Sequence, residues 1–202
     1  NNNKVTMKVL VTGATGFIGG NLARELWQLG NQVRALVRPG SNKLAIENTG
    51  IVPMEGDILD PPSVERAVEG CEAVFHVAAS YTFWSKDPCE VFRANVVGTV
   101  NVLGAARRAG VSRTVYTSTV GTIGIPINGL GTEDTPIDPK SLHGNYKSSK
   151  FKAELEAMSI ASAGMPLVIV NPTAPVGPWD VKPTPTGKIV LNFLNGKVPV
   201  YL

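Results

Sequence analysis

One stretch constrains this chain more than any other. The apolar run Lys8-Val9-Leu10-Val11-Thr12 is closed by Gly13-Ala14-Thr15-Gly16-Phe17-Ile18-Gly19, and Ile18, Leu22, Leu26 and Leu29 then recur at helical spacing. A run apolar at successive positions buries both faces of a strand, which only a sheet covered on both sides can do. Three glycines between strand and helix permit a tight turn, a close approach of backbone to something else, and close packing of the helix on the strand.

The alternation continues. Apolar runs at 32–37, 51–55, 73–77, 113–118 and 167–171 read as further strands. Helical patterns fall at 17–29, 63–69 with a Ser cap, 90–109 and 146–163, the last two ended by Gly110 and Gly164, and a short one is expected at 189–194. Residues 121–144, rich in Gly, Pro, Asn and Asp, read as a long loop. Strand–helix alternation with right-handed crossovers predicts an α/β fold, a doubly wound parallel sheet. The predicted division is 1–178 for this nucleotide-binding domain and 179–202 for the start of a substrate-binding region. The apolar ending 198–202 has the pattern of a chain that continues.

In such a fold ligands bind beyond the carboxyl ends of the strands. The loop after the first strand, with Gly13, Thr15, Gly16, Phe17, Ile18 and Gly19, opens a helix whose free N–H groups and positive dipole end favour phosphate. The second strand ends in Val37-Arg38 with no acid, and Ser41 and Lys43 follow. An acid there would take a ribose 2′-hydroxyl; Arg38 and Lys43 suit a 2′-phosphate instead, so NADP is expected, with NAD open. Small residues at Ala78 and Ala79, after the fourth strand, leave room for an adenylate. His76 lies inside that strand and reads as structural.

Tyr146 and Lys150, four apart, share one helix face. A phenol with a pKa of about 10 is a poor base at neutral pH, and an ammonium beside it is expected to favour the phenolate. Such a tyrosine takes a proton from a hydroxyl or returns one to a carbonyl.

The glycine spacing G-x-x-G-x-x-G in TGATGFIGG, with YKSSK at 146–150, resembles the extended short-chain dehydrogenase/reductases, and the likeness runs from Met7 to about Leu202. It implies a Rossmann fold with its C-terminal substrate region largely missing, and hydride transfer to or from a nicotinamide. It also assigns roles. Asp57 and Ile58 would meet the adenine; Thr119, in the Thr117-Ser118-Thr119 segment, would contact the reacting oxygen, with Ser118 as the alternative. Lys150 would bond the nicotinamide ribose, and Pro172 and Thr173 would approach the nicotinamide. Asn95 would be structural, with a part in a water relay. The helices at 90–109 and 146–163 would form a homodimer interface. VRPGS at 37–41, YTSTVGT and KPTPTGKIV at 182–190 resemble hopanoid-associated sugar epimerases, and that subgroup also resembles dihydroflavonol reductases. The expected reaction is therefore sugar-nucleotide epimerisation or dehydration, or NADPH-dependent carbonyl reduction. A non-catalytic cofactor-binding module remains as a third reading, against which Thr119, Tyr146 and Lys150 stand. Tyr81, Phe83 and Trp84 either border a substrate pocket or cover the core edge.

The same resemblance implies a small-molecule partner, a nucleotide sugar or carbonyl compound. Nineteen Lys+Arg against 16 Asp+Glu give a net charge of +3, without a basic block, which argues against nucleic acid. No apolar run reaches the ~18 residues of a membrane span. Cys71 and Cys89 form no metal or redox motif, so no metal is expected, and a cytoplasmic location is.

Overall fold

The computed structural model describes residues 6–81 and 87–197. Six strands form one parallel sheet in the order β3-β2-β1-β4-β5-β6. They are β1 (Lys8–Thr12), β2 (Gln32–Val37), β3 (Val52–Glu55), β4 (Ala73–His76), β5 (Arg113–Thr117) and β6 (Leu167–Val170). The helices are α1 (Phe17–Gln28), α2 (Pro61–Val68), α3 (Pro88–Phe92), α4 (Gly98–Arg108), α5 (Asn145–Ser162) and α6 (Pro185–Leu194). The chain winds outward from β1 to β3, then returns to lay β4 on the other side of β1. That reversal opens a crevice at the carboxyl ends of β1 and β4, and the candidate site lies there.

Alternation along β1 builds two cores. Leu10 points to one face, with Val64, Val74, Leu103, Tyr116 and Ala153. Val9 and Val11 point to the other, with Ala23, Val33, Val37 and Ile46. The second face is not covered throughout: on β6, Val168 and Val170 remain 49% and 40% exposed, so the expected two-sided cover stops short of this edge strand. Among the described residues no helix is long and apolar enough to cross a membrane.

Three expected boundaries shift, each for a local reason. Helix α2 begins at Pro61, not Ser63: Asp60 is its N-cap and prolines occupy its first two positions, where their missing N–H costs nothing. Ser63 lies inside the helix, its Oγ donating to the carbonyls of Asp57 and Asp60 and accepting from Asp57 N. Helix α6 begins four residues before the predicted Ile189, because Thr184 caps it by accepting from Gly187 N at 3.1 Å. The single helix expected over 90–109 is α3 and α4 joined by a π-helical turn, Arg93–Val97. Asn95 sits in that turn, 1% exposed. Its side chain accepts from Ser80 N at 2.7 Å and donates to Ser80 O and to Ser149 Oγ at 2.9 Å. Three bonds to two other elements outweigh the regularity of one helical turn.

Candidate active site

The crevice is an open groove of about 1040 Å³. Gly13, Thr15, Gly16, Phe17, Ile18 and Gly19 line its floor at the N-terminus of α1. Gly13 has φ +73°, and a Cβ there would lie 2.7 Å from Ala78 N; a Cβ on Gly19 would strike Gly13 O. The loop between β1 and α1 therefore packs backbone against backbone. Gly16 caps α1 without a side chain over the free N–H groups, which leaves them open to an anion.

A buried polar network holds this floor. Thr99 Oγ1 donates to Asn95 O at 2.6 Å, so it accepts from His76 Nε2 at 2.9 Å. The imidazole then carries its proton on Nε2, and its bare Nδ1 accepts from Thr12 Oγ1 at 2.8 Å. Thr12 Oγ1 in turn accepts the N–H groups of Val77 and Ala78, both at 3.2 Å. Burial holds His76 down at about 3, with Lys150 adding to the effect, so the ring stays neutral. The sequence reading of His76 as structural matches this geometry.

Arg38, Asp57, Ile58, Ala78 and Ala79 line the groove beyond β2, β3 and β4. Asp57 Oδ1 accepts from Leu59 N at 2.8 Å, and Ile58 packs against Gly98. Arg38 is exposed at the end of β2, with Ser41 and Asn42 beside it in the wall. Lys43 is exposed and does not line the groove; its neighbours Asn42 and Leu44 do, because Asn42 Oδ1 accepts from Leu44 N and turns the chain there. Pro172 and Thr173 close the wall after β6.

Thr119, Tyr146 and Lys150 line one end of the groove together. Gly144, with φ +85°, turns the long loop into α5, which carries Tyr146 and Lys150. Thr119 follows β5, and its Oγ1 accepts from Gly121 N at 3.2 Å. Its own hydrogen has no acceptor among the described residues. The adjoining Ser118 is 4% exposed, and its Oγ is buried without a hydrogen-bond partner. Thr119 and Tyr146 also border a second hollow of about 220 Å³, lined further by Gly121, His143, Asn145 and Lys147.

The electrostatics differ from the sequence expectation. Burial pushes the Tyr146 phenol up to about 12, and Tyr81, edge-on with ring centroids 4.7 Å apart, adds to that. Lys150 does not counter it. This lysine is 2% exposed, and its ammonium is itself held down, at about 7, by burial, which the charge of Glu154 partly offsets. It donates to Tyr116 Oη and to Thr117 O, both at 2.9 Å. The charge expected to favour the phenolate is thus desolvated and shared with β5.

Sequence reasoning missed a whole wall. Residues 179–186 and Lys188, in the stretch expected to start the substrate-binding region, also line the groove. They are held on α1 by Asn21 Nδ2, which donates to Pro178 O at 2.8 Å, and by the Arg24 guanidinium, 3.7 Å from the Trp179 ring centroid. Phe83 and Trp84 lie outside the described residues. Tyr81 lines the groove.

The profile of the NAD dependent epimerase/dehydratase family matches residues 9–202. The chain belongs to this family. A protein of Synechocystis sp., provisionally named dihydroflavonol 4-reductase, is 47% identical over 95% of the chain and 56% of its own length. The solved structure of gox2253 superposes with a TM-score of 0.87 at 41% identity, over 96% of this chain and 59% of that one. The UDP-glucose 4-epimerase of Thermus thermophilus, solved with NAD, gives a TM-score of 0.80 at 29% identity, over 96% of this chain and 64% of that one. The chain thus spans rather more than half the length of the relatives it matches. Family membership agrees with the parallel sheet and with the groove at its switch point. The glycine cradle, the open α1 N-terminus and the orphaned Ser118 hydroxyl all fit a nicotinamide dinucleotide laid along that groove.

Proposed function

We propose that this family member holds the cofactor-binding and proton-transfer half of an NADP-dependent enzyme that moves a hydride between nicotinamide and a carbon bearing oxygen. The observation that carries this is the meeting of Thr119, Tyr146 and Lys150 at one end of a groove whose other end holds Arg38. The phosphate loop binds the pyrophosphate through backbone N–H groups, and Asp57, Ile58, Ala78 and Ala79 enclose the adenylate. When bound, the nicotinamide supplies or accepts the hydride. Lys150 donates to the ribose hydroxyls. Thr119 donates to the substrate oxygen and stabilises charge growing on it. Tyr146, protonated across neutral pH, gives its proton to that oxygen as a carbonyl becomes an alcohol; in the reverse direction its phenolate takes that proton back.

A protonated Tyr146 and an arginine in place of an acid favour net carbonyl reduction with NADPH, and the Synechocystis relative is provisionally named a reductase. The epimerase or dehydratase reading is supported by the family itself and by the Thermus neighbour; in it the Tyr146 phenolate would take a hydroxyl proton as the carbon gives up its hydride, and would return that proton when the hydride comes back to the keto sugar. The homodimer through α4 and α5 belongs to this proposal, as do the division at residue 178 and a cytoplasmic location.

The test is titration of the purified chain with NADPH and NADH at fixed salt. A charge-assisted contact to the 2′-phosphate is worth about 1.5–3 kcal/mol, or about 10- to 150-fold in affinity. NADPH is expected to bind tighter by that factor, and Arg38→Ala to remove the preference. Equal binding, or tighter NADH, refutes the role of Arg38 and moves the weight to an NAD-recycling epimerase or dehydratase.

A further inference from the structure

Lys150 is the largest charged side chain buried among the described residues, and it reaches past its own helix into β5. Its partner there, Tyr116, is 0% exposed. A phenylalanine would fill the same space, and a buried hydroxyl costs free energy unless it is bonded. The Tyr116 ring is fixed: it stacks on His76 with centroids 5.5 Å apart and an interplanar angle of 21°. His76 is fixed in turn by Thr12 and Thr99. The Tyr116 hydroxyl, with the hydroxyls of Thr99 and Ser118 near it, takes its bond from Lys150 at 2.9 Å.

We propose that Tyr116 is a positioning residue for Lys150: its hydroxyl and the Thr117 carbonyl take two of the three N–H bonds of the ammonium and leave the third for the ribose hydroxyls of a bound nicotinamide dinucleotide. The inference rests on the cofactor reading given above. An ammonium has three donors and rotates freely about its last bond. Two fixed acceptors remove that freedom before the cofactor arrives, so less is lost when it binds. Burial pushes the Tyr116 phenol well above its ordinary value, so it accepts as a neutral hydroxyl. The other groups around the ammonium are the neutral imidazole of His76 from β4, and Tyr146 and Glu154 from α5. Glu154 is itself engaged by Thr122 Oγ1 at 2.8 Å and Asn171 Nδ2 at 3.1 Å. Tyr116 therefore touches neither cofactor nor substrate and acts through Lys150.

The test compares the parent chain with Tyr116→Phe, Lys150→Met and Thr114→Val. Thr114 also lies on β5, and its buried hydroxyl has no partner, so its loss controls for removing a hydroxyl from this strand. Two quantities are read: NADPH affinity, and the pH midpoint of Lys150, from the pH dependence of its acylation followed by mass spectrometry. Tyr116→Phe is expected to weaken NADPH about tenfold and to lower the Lys150 midpoint by about one pH unit. Thr114→Val is expected to change neither. Parent-like values in Tyr116→Phe, with Lys150→Met still binding poorly, overturn the proposal and leave the cofactor reading standing. Parent-like NADPH binding in Lys150→Met overturns the cofactor reading itself. Should Tyr116→Phe not fold, the parent decides: a nuclear Overhauser contact between the Lys150 side-chain end and the Tyr116 ring in the NADPH-saturated chain supports the pairing, and its absence overturns it.

Discussion

At the residue scale the site is governed by what burial does to ionisable groups. Tyr146, Lys150 and His76 are each pushed toward the neutral form, the phenol upward and the two bases downward. For His76 this has a consequence for the whole fold. Its folded value is lowered from the usual 6.5 to about 3, so between those limits the unfolded chain binds a proton that the folded chain refuses. The contribution of the neutral ring is complete above pH 6.5 and is lost as pH falls toward 3, with a slope of at most about 1.4 kcal/mol per pH unit. Urea unfolding at pH 7 and pH 5 is expected to show a loss of stability in the parent that is smaller in His76→Leu. Equal losses would show that the acid sensitivity arises elsewhere. Tyr146, Lys150 and the glycines of the phosphate loop were legible in the sequence because each works through spacing along one element. The Tyr116 contact was not: Tyr116 and Lys150 are 34 residues apart, and nothing in the pattern Val115-Tyr116-Thr117 separates a core tyrosine from a lysine partner.

At the element scale the π-helical turn between α3 and α4 is the feature that periodicity could not show. The apolar repeat through 90–109 reads as one helix, and an extra residue in one turn barely disturbs it. The turn exists because Asn95 reaches the backbone of Ser80 after β4 and the hydroxyl of Ser149 on α5. It thereby ties the loop after β4 to the helix that carries Tyr146 and Lys150. Asn95→Ala is expected to cost about 2–3 kcal/mol in denaturant unfolding, since it leaves the Ser80 N–H and C=O without their partner. A loss below about 0.5 kcal/mol, within the range of ordinary surface changes, would mean that the turn is held by other contacts.

At the scale of the whole molecule, stability is unevenly distributed. The sheet centre is dry: Val9, Leu10, Val11 and Val74 are all 0% exposed, as are Val102 and Leu103 on α4. Helix α6 has no buried residue, and Ile189, Phe193 and Leu194 are 67%, 54% and 72% exposed. Local opening is easiest where little apolar area is buried. Amide hydrogen exchange is therefore expected to be fastest in α6 and in the loop holding Ile125, Ile127 and Leu130, and slowest in β1, β4 and α4. Protection of α6 equal to that of α4 would refute this ranking. The groove spans both regimes, since its phosphate wall stands on β1 and residues 179–186 of its lining lead into α6.

The parallel sheet, the glycine-rich loop at the end of β1, and the placement of Tyr146 and Lys150 on one helix are legible in the chain's local pattern. These follow from local periodicity and steric rules that hold wherever the segment lies. Packing set which side chains share a dielectric environment and which distant groups meet. It buried Lys150 against Tyr116, raised the Tyr146 phenol instead of lowering it, left Lys43 out of the wall that Arg38 joins, and brought Pro178 and Trp179 back onto α1. Desolvation and contacts between distant parts of the chain depend on what packs above and below a residue, and no local pattern carries that information.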